Sequence, residues 1–246
     1  MTARLAPLLP ALLLGACASV APPAGEPHPQ DPWEGVNRKV FAFNDQVDRA
    51  VLKPAAQAYE AVVPTPVRDA VGNFFGNLGD AWSAVNWLLQ GEFHRATEQG
   101  ARFAWNSTLG VAGLFDVSRH FGLDRRSQDF GQTLGSWGMG LGPYVVLPLF
   151  GPSSLRDVAA LPVNRLASSN LVISDSGSRV AAAALELVSL RASLLSAERV
   201  VEGIMLDRYT FFRDAYLQRR AAKRKTDDDD DDFEIIESPP TAGSKP

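Results

Sequence analysis

The stretch FGQTLGSWGMGLGPYVVLPLFGPSSL, from Phe130 to Leu155, limits what this chain can build. It contains no charged residue, six glycines and three prolines. This composition is apolar enough to lie in lipid, but the glycines and prolines interrupt it too often for a continuous helix. The sequence therefore predicts an irregular, uncharged loop in this region.

A single strand signal lies inside this stretch. The segment YVVL, Tyr144–Leu147, has the β-branched run of a strand and is bounded by Pro143 and Pro148. Elsewhere strand signals are almost absent, and apolar residues recur at helical spacing. The fold is therefore predicted to be all-α, with short amphipathic helices around the irregular loop.

The first helix is expected to begin at DPWE, with Asp31 as its N-cap, and to end at Pro54. Its apolar positions follow one helical face, which we expect to pack into the core: Val36, Val40, Phe43, Val47 and Val51. Four further helices are expected. The first is capped by Thr65 and continues to Gly91, the second runs from Phe93 to about Thr108, the third from Ser178 to Leu195, and the last contains Tyr209, Phe212 and Tyr216.

The chain divides into four segments. Residues 1–16 are typical of a signal peptide, because Arg4 precedes an apolar run that is too short to span a bilayer. The ending LGAC resembles a bacterial lipobox and predicts lipidation of Cys17, although an unmodified thiol is the alternative. Residues 17–30 then form a Pro-rich tether, residues 31–226 a helical domain, and residues 227–246, with six consecutive aspartates, a disordered acidic tail.

The charge distribution argues against nucleic-acid binding. The net charge is −4, but residues 227–246 hold eight of the 28 acids and only one of the 24 bases. The body of the chain is therefore close to neutral and has no strongly basic face. We expect no nucleic-acid partner.

No motif specifies a cofactor or a metal site. The segment GMGLG, Gly138–Gly142, lacks the strand, the helix and the Lys-Ser/Thr pair of a nucleotide-binding loop. His94 and Glu98 are four residues apart on a predicted helix, but no third ligand lies near them in sequence. A solvated helix face is the favoured interpretation of this pair, and we expect neither a cofactor nor a metal.

No motif specifies a catalytic residue either. Asp45 and Asp48 could pair as acid and base, but three residues apart on a helix they are more typical of its polar side. Trp33, Trp82 and Trp87 are expected in the core or as interfacial anchors, not at a ligand site. We therefore expect a protein that is not an enzyme.

Six motifs occur in order between about residue 31 and residue 220: DPWEGVNRKVFAFND, VPTPVRDAVGNFFGNL, NWLLQG, RFAWNSTLGVAGLFDVS, DFGQTLGSWGMGLGPYVVLPLFGPSSLRD and RDAYLQRR. Together with the lipobox they resemble the VacJ/MlaA lipoproteins of Gram-negative outer membranes. The resemblance implies a ring-like bundle of amphipathic helices that lies in the inner leaflet of the outer membrane, anchored on its periplasmic side, and encloses a polar channel.

The resemblance also implies a function. Such a protein removes mislocalised phospholipids from the outer leaflet and passes them to a soluble periplasmic carrier that feeds an inner-membrane ABC transporter. It binds phospholipid and trimeric porins. Two other functions stay open, an envelope lipid hydrolase and a passive structural lipoprotein.

A phospholipid path needs a polar side for the head group and an apolar side for the chains, and non-helical backbone at membrane depth is tolerated where it lines a watery cavity. With the resemblance, this assigns a lipid channel to eight residues: Trp137, Gly138, Met139, Gly140, Leu141, Gly142, Pro143 and Tyr144. A buried loop that only holds the helices together is the alternative. Phe43 and Asn44 match a family motif near the channel and are expected to gate or support it.

Overall fold

The computed structural model describes residues 28–166, 175–203 and 205–229. The α-helices are α1 (Glu34–Val47), α2 (Lys53–Val62), α3 (Thr65–Leu89), α4 (Phe93–Thr108), α5 (Phe130–Ser136), α6 (Leu155–Leu166), α7 (Ser176–Val201) and α8 (Arg208–Asp229). A π-helical segment, Asp48–Leu52, joins α1 to α2, and a 3₁₀ turn spans Val117–Phe121. The predicted all-α class is confirmed, with one small hairpin of β1 (Tyr144–Leu147) and β2 (Gly151–Ser154).

Three of the predicted segments lie partly or wholly outside the described residues. The signal peptide, Cys17 and nearly all of the Pro-rich tether belong to residues 1–27. The acidic tail begins within α8, whose last residues are Asp227 to Asp229, and its remainder lies outside the described part of the chain.

Local sequence signals located several elements well. Helix α4 and strand β1 have the predicted bounds, and α7 extends its predicted range at both ends. Helix α3 is continuous for 25 residues despite three internal glycines. Its N-cap is Pro64, one residue before the expected Thr65. These three helices form where the sequence predicts them, with shifts at the ends.

The start of α1 differs from the prediction. Trp33, and not Asp31, occupies the N-cap position. The Asp31 side chain is only 1% exposed and accepts hydrogen bonds from Asn37 and Tyr209 in the interior. The N-cap prediction is wrong because these distant donors stabilise the buried carboxylate better than the orphan amides of a solvated helix end.

Pro54 does not end the first helix. The chain passes through the π-helical segment Asp48–Leu52 and continues into α2, where Pro54 occupies the first turn. Proline lacks an N–H and clashes with the carbonyl four residues earlier in an α-helix, and the wider π turn removes both conflicts. The expected break is therefore replaced by a local change of helix type.

The hairpin is antiparallel, with Tyr144 opposite Ser154 and Leu147 opposite Gly151. Its turn uses positive φ angles at Leu149 (65°) and Gly151 (78°). Strand β2, with the sequence GPSS, has no β-branched or aromatic residue, so its composition gave no signal.

Polar side chains occupy much of the interior. In the described part of the chain, 17 polar or charged residues are buried against 11 hydrophobic ones, while 30 large hydrophobic side chains are exposed. Isolated exposed apolar residues are normal in soluble proteins, but this number far exceeds a few scattered positions. The exterior therefore requires apolar surroundings, or a partner, to cover it.

The polar interior is most extensive between α3 and α4. Arg102 is fully buried and bonds to Asp80 (Nε to Oδ2, 3.3 Å) and to both carboxylate oxygens of Asp116 (3.0 and 3.1 Å). Burial acts to raise the pKa of Asp116, but hydrogen bonds from Ser118, Arg102 and Asn106 outweigh it and lower that pKa to about 2. Paired charges hold these two helices together.

Helix α7 is rich in apolar residues yet mostly exposed. Among the described helices it alone is long and apolar enough to cross a membrane by length and composition, and only 11% of its most apolar window is buried. Its buried residues are Ala192 and Leu195, which contact Ala56 of α2. A helix of this kind is stable in an apolar environment.

We predict that Arg102→Ala lowers the free energy of unfolding by about 3 kcal/mol, because it removes the buried guanidinium that joins Asp80 to Asp116 and leaves these carboxylates only the more exposed Arg125 and Arg119. Denaturant unfolding in detergent, followed by circular dichroism, measures this. Arg119→Ala is the matched control: Arg119 also pairs with Asp116, at 3.2 Å, but its side chain is 77% exposed. The control should cost less than about 1 kcal/mol. Equal losses for the two variants would contradict the assignment of Arg102 to the core.

Candidate functional site

Two asparagines fix α1 to the hairpin. The Asn37 amide donates to the Tyr144 carbonyl (3.1 Å) and accepts from the Val146 N–H (2.9 Å). The Asn44 amide repeats this pattern two helical turns later, donating to Leu147 O (2.9 Å) and accepting from Leu149 N (2.8 Å). Each asparagine side chain thus donates and accepts the pair of hydrogen bonds that a neighbouring β-strand would make with the hairpin. Helix α1 therefore takes the place of a third strand.

Helix α8 closes over the same junction. The Tyr209 hydroxyl donates to Asp31, and the Tyr216 hydroxyl donates to Asp157 Oδ2 at 2.6 Å. Burial and the bond to Asp157 raise the pKa of Tyr216 to about 12, so its hydroxyl keeps its proton. Arg220 adds ion pairs of 2.8 Å to Asp129 and Asp157. Helix α8 therefore binds the residues at both ends of the uncharged stretch, Asp129 before it and Asp157 after it.

A cavity of about 350 Å³ lies where α1, the π-helical segment, β2, α7 and α8 meet. Its apolar wall consists of hydrophobic side chains from α1, α7, α8 and the segment before α8: Phe41, Leu194, Ala197, Val201, Met205, Phe211 and Phe212. Gly151 and Pro152 contribute the hairpin side. Apolar groups of a ligand would be buried against this wall.

Charged residues that pair with one another border the cavity, although the surface that faces it is mostly apolar. Arg191 pairs with Asp48 through two bonds (2.8 and 2.9 Å) and with Glu198 at 2.6 Å. Arg208 pairs with Asp45 at 3.1 Å and reaches Glu198 at 3.6 Å. The hydrogen bonds to Asp48 are the largest cause of the raised pKa of Arg191. One cavity therefore combines paired charges with hydrocarbon.

The eight predicted channel residues differ in their exposure to solvent. Trp137 and Met139 are 56% and 47% exposed, and the neighbouring glycines are exposed. The Trp137 indole donates to Leu89 O at 3.0 Å, which ties the loop to the end of α3. Leu141 packs against the aromatic core, and Tyr144 is fully buried within it. The eight residues thus share a loop but differ in surroundings.

None of these eight residues lines the cavity described above, which the same uncharged stretch reaches through Gly151 and Pro152. Of the two support residues, Asn44 lines the cavity and also holds the hairpin. The interpretation that Phe43 packs into the core is wrong, because its side chain is 50% exposed. Phe41 packs there instead, with ring centroids 5.7 Å from Tyr209 and 5.8 Å from Phe212.

Several residues of this junction are not identified by the sequence patterns. Asn37 and Asn44 lie seven positions apart, a spacing that places two amides on one helix face and could have indicated a shared partner. Arg191, Glu198 and Arg208 each have one partner more than 140 positions away in sequence, which no local pattern indicates. Asp45 and Asp48 were identified as a possible pair, and the structure gives each its own arginine.

The histidine pair on α4 is a surface feature. His94 Nε2 lies 3.4 Å from Glu98 Oε1, and the His94 side chain is 87% exposed. Within the described ranges no group of three or more His, Cys, Asp or Glu residues is placed to hold a metal ion. The exposure of His94 agrees with the interpretation of this pair as part of a solvated helix face.

The fold and the junction define a class of helical protein that exposes many large apolar side chains, keeps polar groups inside and holds a mostly apolar cavity bordered by ion pairs. The sequence model of the MlaA lipoprotein family matches residues 29–223. The chain belongs to the MlaA lipoprotein family.

Known proteins of this family show the extent of the similarity. The chain is 35% identical over 218 residues to the intermembrane phospholipid transport system lipoprotein MlaA of Escherichia coli (strain K12), covering 85% of this chain and 82% of that one. It is 35% identical over 193 residues to an uncharacterized protein of Rickettsia bellii, covering 78% and 76%. A solved structure, described as the structural basis for maintenance of bacterial outer membrane lipid asymmetry, superposes with a TM-score of 0.66 and 34% identity, covering 78% of this chain and 98% of that chain.

We predict that Asn44→Ala accelerates hydrogen exchange at the Leu149 amide about tenfold, the effect of losing one net hydrogen bond. The amide of Val146, which bonds to Asn37, should keep its rate and serves as the internal control. Exchange measured by NMR on detergent-solubilised protein tests this. Equal acceleration at both amides would show that Asn44 does not act locally on the hairpin turn.

Proposed function

We propose that this protein removes mislocalised phospholipids from the outer leaflet of the outer membrane and passes them to a periplasmic carrier, which maintains lipid asymmetry. The observation that carries the proposal is the mostly apolar cavity bordered by ion pairs. Acyl chains of a phospholipid would be buried in this cavity, and the head group would lie near the charged residues at its border. The similarity to a lipoprotein of an intermembrane phospholipid transport system, and to a solved structure concerned with outer-membrane lipid asymmetry, supports the same function.

The exposed apolar side chains support a position within one membrane leaflet. Charged residues such as Arg191 and Glu198 interrupt α7 along one face, while Val180, Leu187 and Val200 remain exposed on the rest of the helix. A helix that directs Arg191 and Glu198 toward the cavity and its apolar residues outward is suited to lie in hydrocarbon beside a polar path. We infer that the helices lie in the inner leaflet of the outer membrane.

The proposed partners follow from the route of the lipid. Acyl chains exposed to water cost free energy in proportion to their area, so a phospholipid leaving the membrane requires a carrier that covers its chains. We therefore propose a soluble periplasmic carrier, which feeds an inner-membrane ABC transporter, as the acceptor. The porin trimer is proposed from the family resemblance of the sequence alone.

The decisive experiment measures phospholipid in the outer leaflet of cells with and without this protein. Under the proposal, deletion raises the surface-exposed phospholipid and the wild-type gene restores it. A passive structural lipoprotein would leave that amount unchanged. An envelope lipid hydrolase would release fatty acid when the purified protein is incubated with phospholipid, which the transport proposal does not expect.

We predict that Gly140→Val raises surface phospholipid while protein abundance stays normal. A Cβ at Gly140 meets no atom within 4 Å, so the added side chain should not strain the fold but would obstruct a lipid path through this loop. Gly142→Val is the control for folding, because Gly142 has a φ of 69° and its Cβ would lie 3.2 Å from Leu155, a strain of about 1 to 3 kcal/mol.

Gly142→Val should therefore lose abundance and activity in step. Abundance by immunoblot and surface phospholipid are measured for both variants. If Gly140→Val changes neither quantity, the assignment of Trp137 to Tyr144 to the lipid channel is wrong.

We predict that Cys17 is acylated and forms the mature N-terminus. Mass spectrometry should detect a lipidated fragment beginning at Cys17, and Cys17→Ser should accumulate as the uncleaved precursor, because the anchor needs the sulfur for its first acyl-bearing group. Lipid chains contribute roughly 0.8 kcal/mol per buried methylene, so the variant should also lose stable attachment to the outer membrane. A mature, soluble and unmodified form of the wild type would contradict the lipobox.

A further inference from the structure

Arg156, in the first turn of α6, carries a guanidinium group whose terminal nitrogens are unpaired. Its side chain is 9% exposed, and its Nε donates to Asp157 Oδ1 at 3.2 Å. Within the described residues the two terminal nitrogens have no hydrogen-bond partner, yet they retain accessible surface, unlike the unpaired Nε of Arg220. A guanidinium in this state can donate two parallel hydrogen bonds to an oxyanion.

The charges around Arg156 balance one another. Asp157 Oδ1 accepts from Arg156, while Asp157 Oδ2 accepts from Tyr216 and pairs with Arg220 at 2.8 Å. Arg220 also pairs with Asp129 at 2.8 Å. Asp157 therefore keeps two partners without Arg156. The unpaired nitrogens of Arg156, and not an excess of charge, distinguish this position.

Arg156 contacts both ends of the glycine-rich loop that follows α5. Its Nη1 lies over Gly135, where a Cβ would come within 2.4 Å of it, and its backbone N–H donates to Leu141 O at 3.3 Å. The carbonyls at the end of α5 accept from the backbone amides of residues 137–139, and the Arg156 side chain donates to none of them. The guanidinium is therefore held beside the loop without capping the helix.

The loop adds backbone donors of its own. The N–H groups of Gly140, Leu141 and Gly142 donate to no acceptor in the described part of the chain. Both glycines are exposed and Gly142 has a φ of 69°, so a ligand can approach these amides without meeting a side chain. Trp137 and Met139 are exposed on the same loop. Unpaired donors beside exposed apolar side chains suit the boundary between the phosphate and the hydrocarbon of a lipid.

We propose that Arg156 and the amides of residues 140–142 bind the phosphate group of a phospholipid. The inference rests on the proposed function and assigns a phosphate site to the glycine-rich loop. None of these residues lines the cavity, so the site is separate from it and holds the lipid at another step of the transfer. Arg156 supplies the positive charge and two donors, and the loop amides supply donors for the remaining phosphate oxygens.

The test compares phosphatidylglycerol with diacylglycerol of the same acyl chains, which lacks the phosphate. The full-length lipoprotein in nonionic detergent receives each lipid over a concentration series, and native mass spectrometry measures the fraction bound. We expect the wild type to bind phosphatidylglycerol about tenfold more tightly, the effect of a charge-assisted hydrogen bond. Arg156→Gln should abolish this difference and leave the affinity for diacylglycerol unchanged.

Gly135→Ala tests the position of the guanidinium without removing its charge. The added methyl group would occupy the place of Nη1, and because this atom ends a flexible side chain, the guanidinium should move aside at little cost to folding. Alanine also favours the helix. The variant should keep its melting temperature and lose affinity for phosphatidylglycerol about as much as Arg156→Gln. Unchanged affinity in both variants would show that Arg156 serves only the fold.

Arg125→Gln is the matched control, because Arg125 also lies over a helical glycine, Gly76, and shares the carboxylate of Asp80 with a second arginine. This variant should bind both lipids as the wild type does. Equal affinity of the wild type for the two lipids, or equal loss of both in Arg156→Gln, overturns the phosphate site and leaves the transport function intact. Displacement of phosphatidylglycerol by an equal concentration of inorganic phosphate assigns the site to free phosphate and also overturns the proposal. Failure of the wild type to bind any phospholipid overturns the proposed function as well.

Discussion

A polar group removed from water must keep a hydrogen-bond partner, and this constraint governs the whole molecule. The outer surface is apolar, so a difference in hydrophobicity between inside and outside cannot by itself define which residues face inward. Hydrogen bonds and ion pairs between particular side chains determine instead which residues face inward. Arg102 joins Asp80 to Asp116, and Asn37 and Asn44 align α1 with the hairpin at fixed register. Each of these groups has few acceptable positions, because misplacement leaves a buried group without a partner.

Local signals sufficed where an element depends on its own residues. The bounds of α4 and β1 follow from helical periodicity and from a β-branched run bounded by prolines, and the structure confirms them. Asp31 and Pro54 were mispredicted because distant contacts outweighed the local preference: Tyr209 bonds the buried carboxylate, and a π turn accommodates the proline. Phe43 shows a third cause. Periodicity identifies an apolar face, but in a protein with an apolar exterior that face need not turn toward the core.

The candidate site shows the same limit at longer range. Asn44, Asp45 and Asp48 stood out in the sequence, yet their shared role depends on Arg191 and Arg208, which the fold brings from the far end of the chain. No spacing rule relates residues so distant. The uncharged stretch that dominates the sequence enters the cavity only through Gly151 and Pro152, while its glycine-rich part forms an exposed loop tied to α3 by Trp137. The composition of that stretch indicated its environment but not which of its residues meet the cavity.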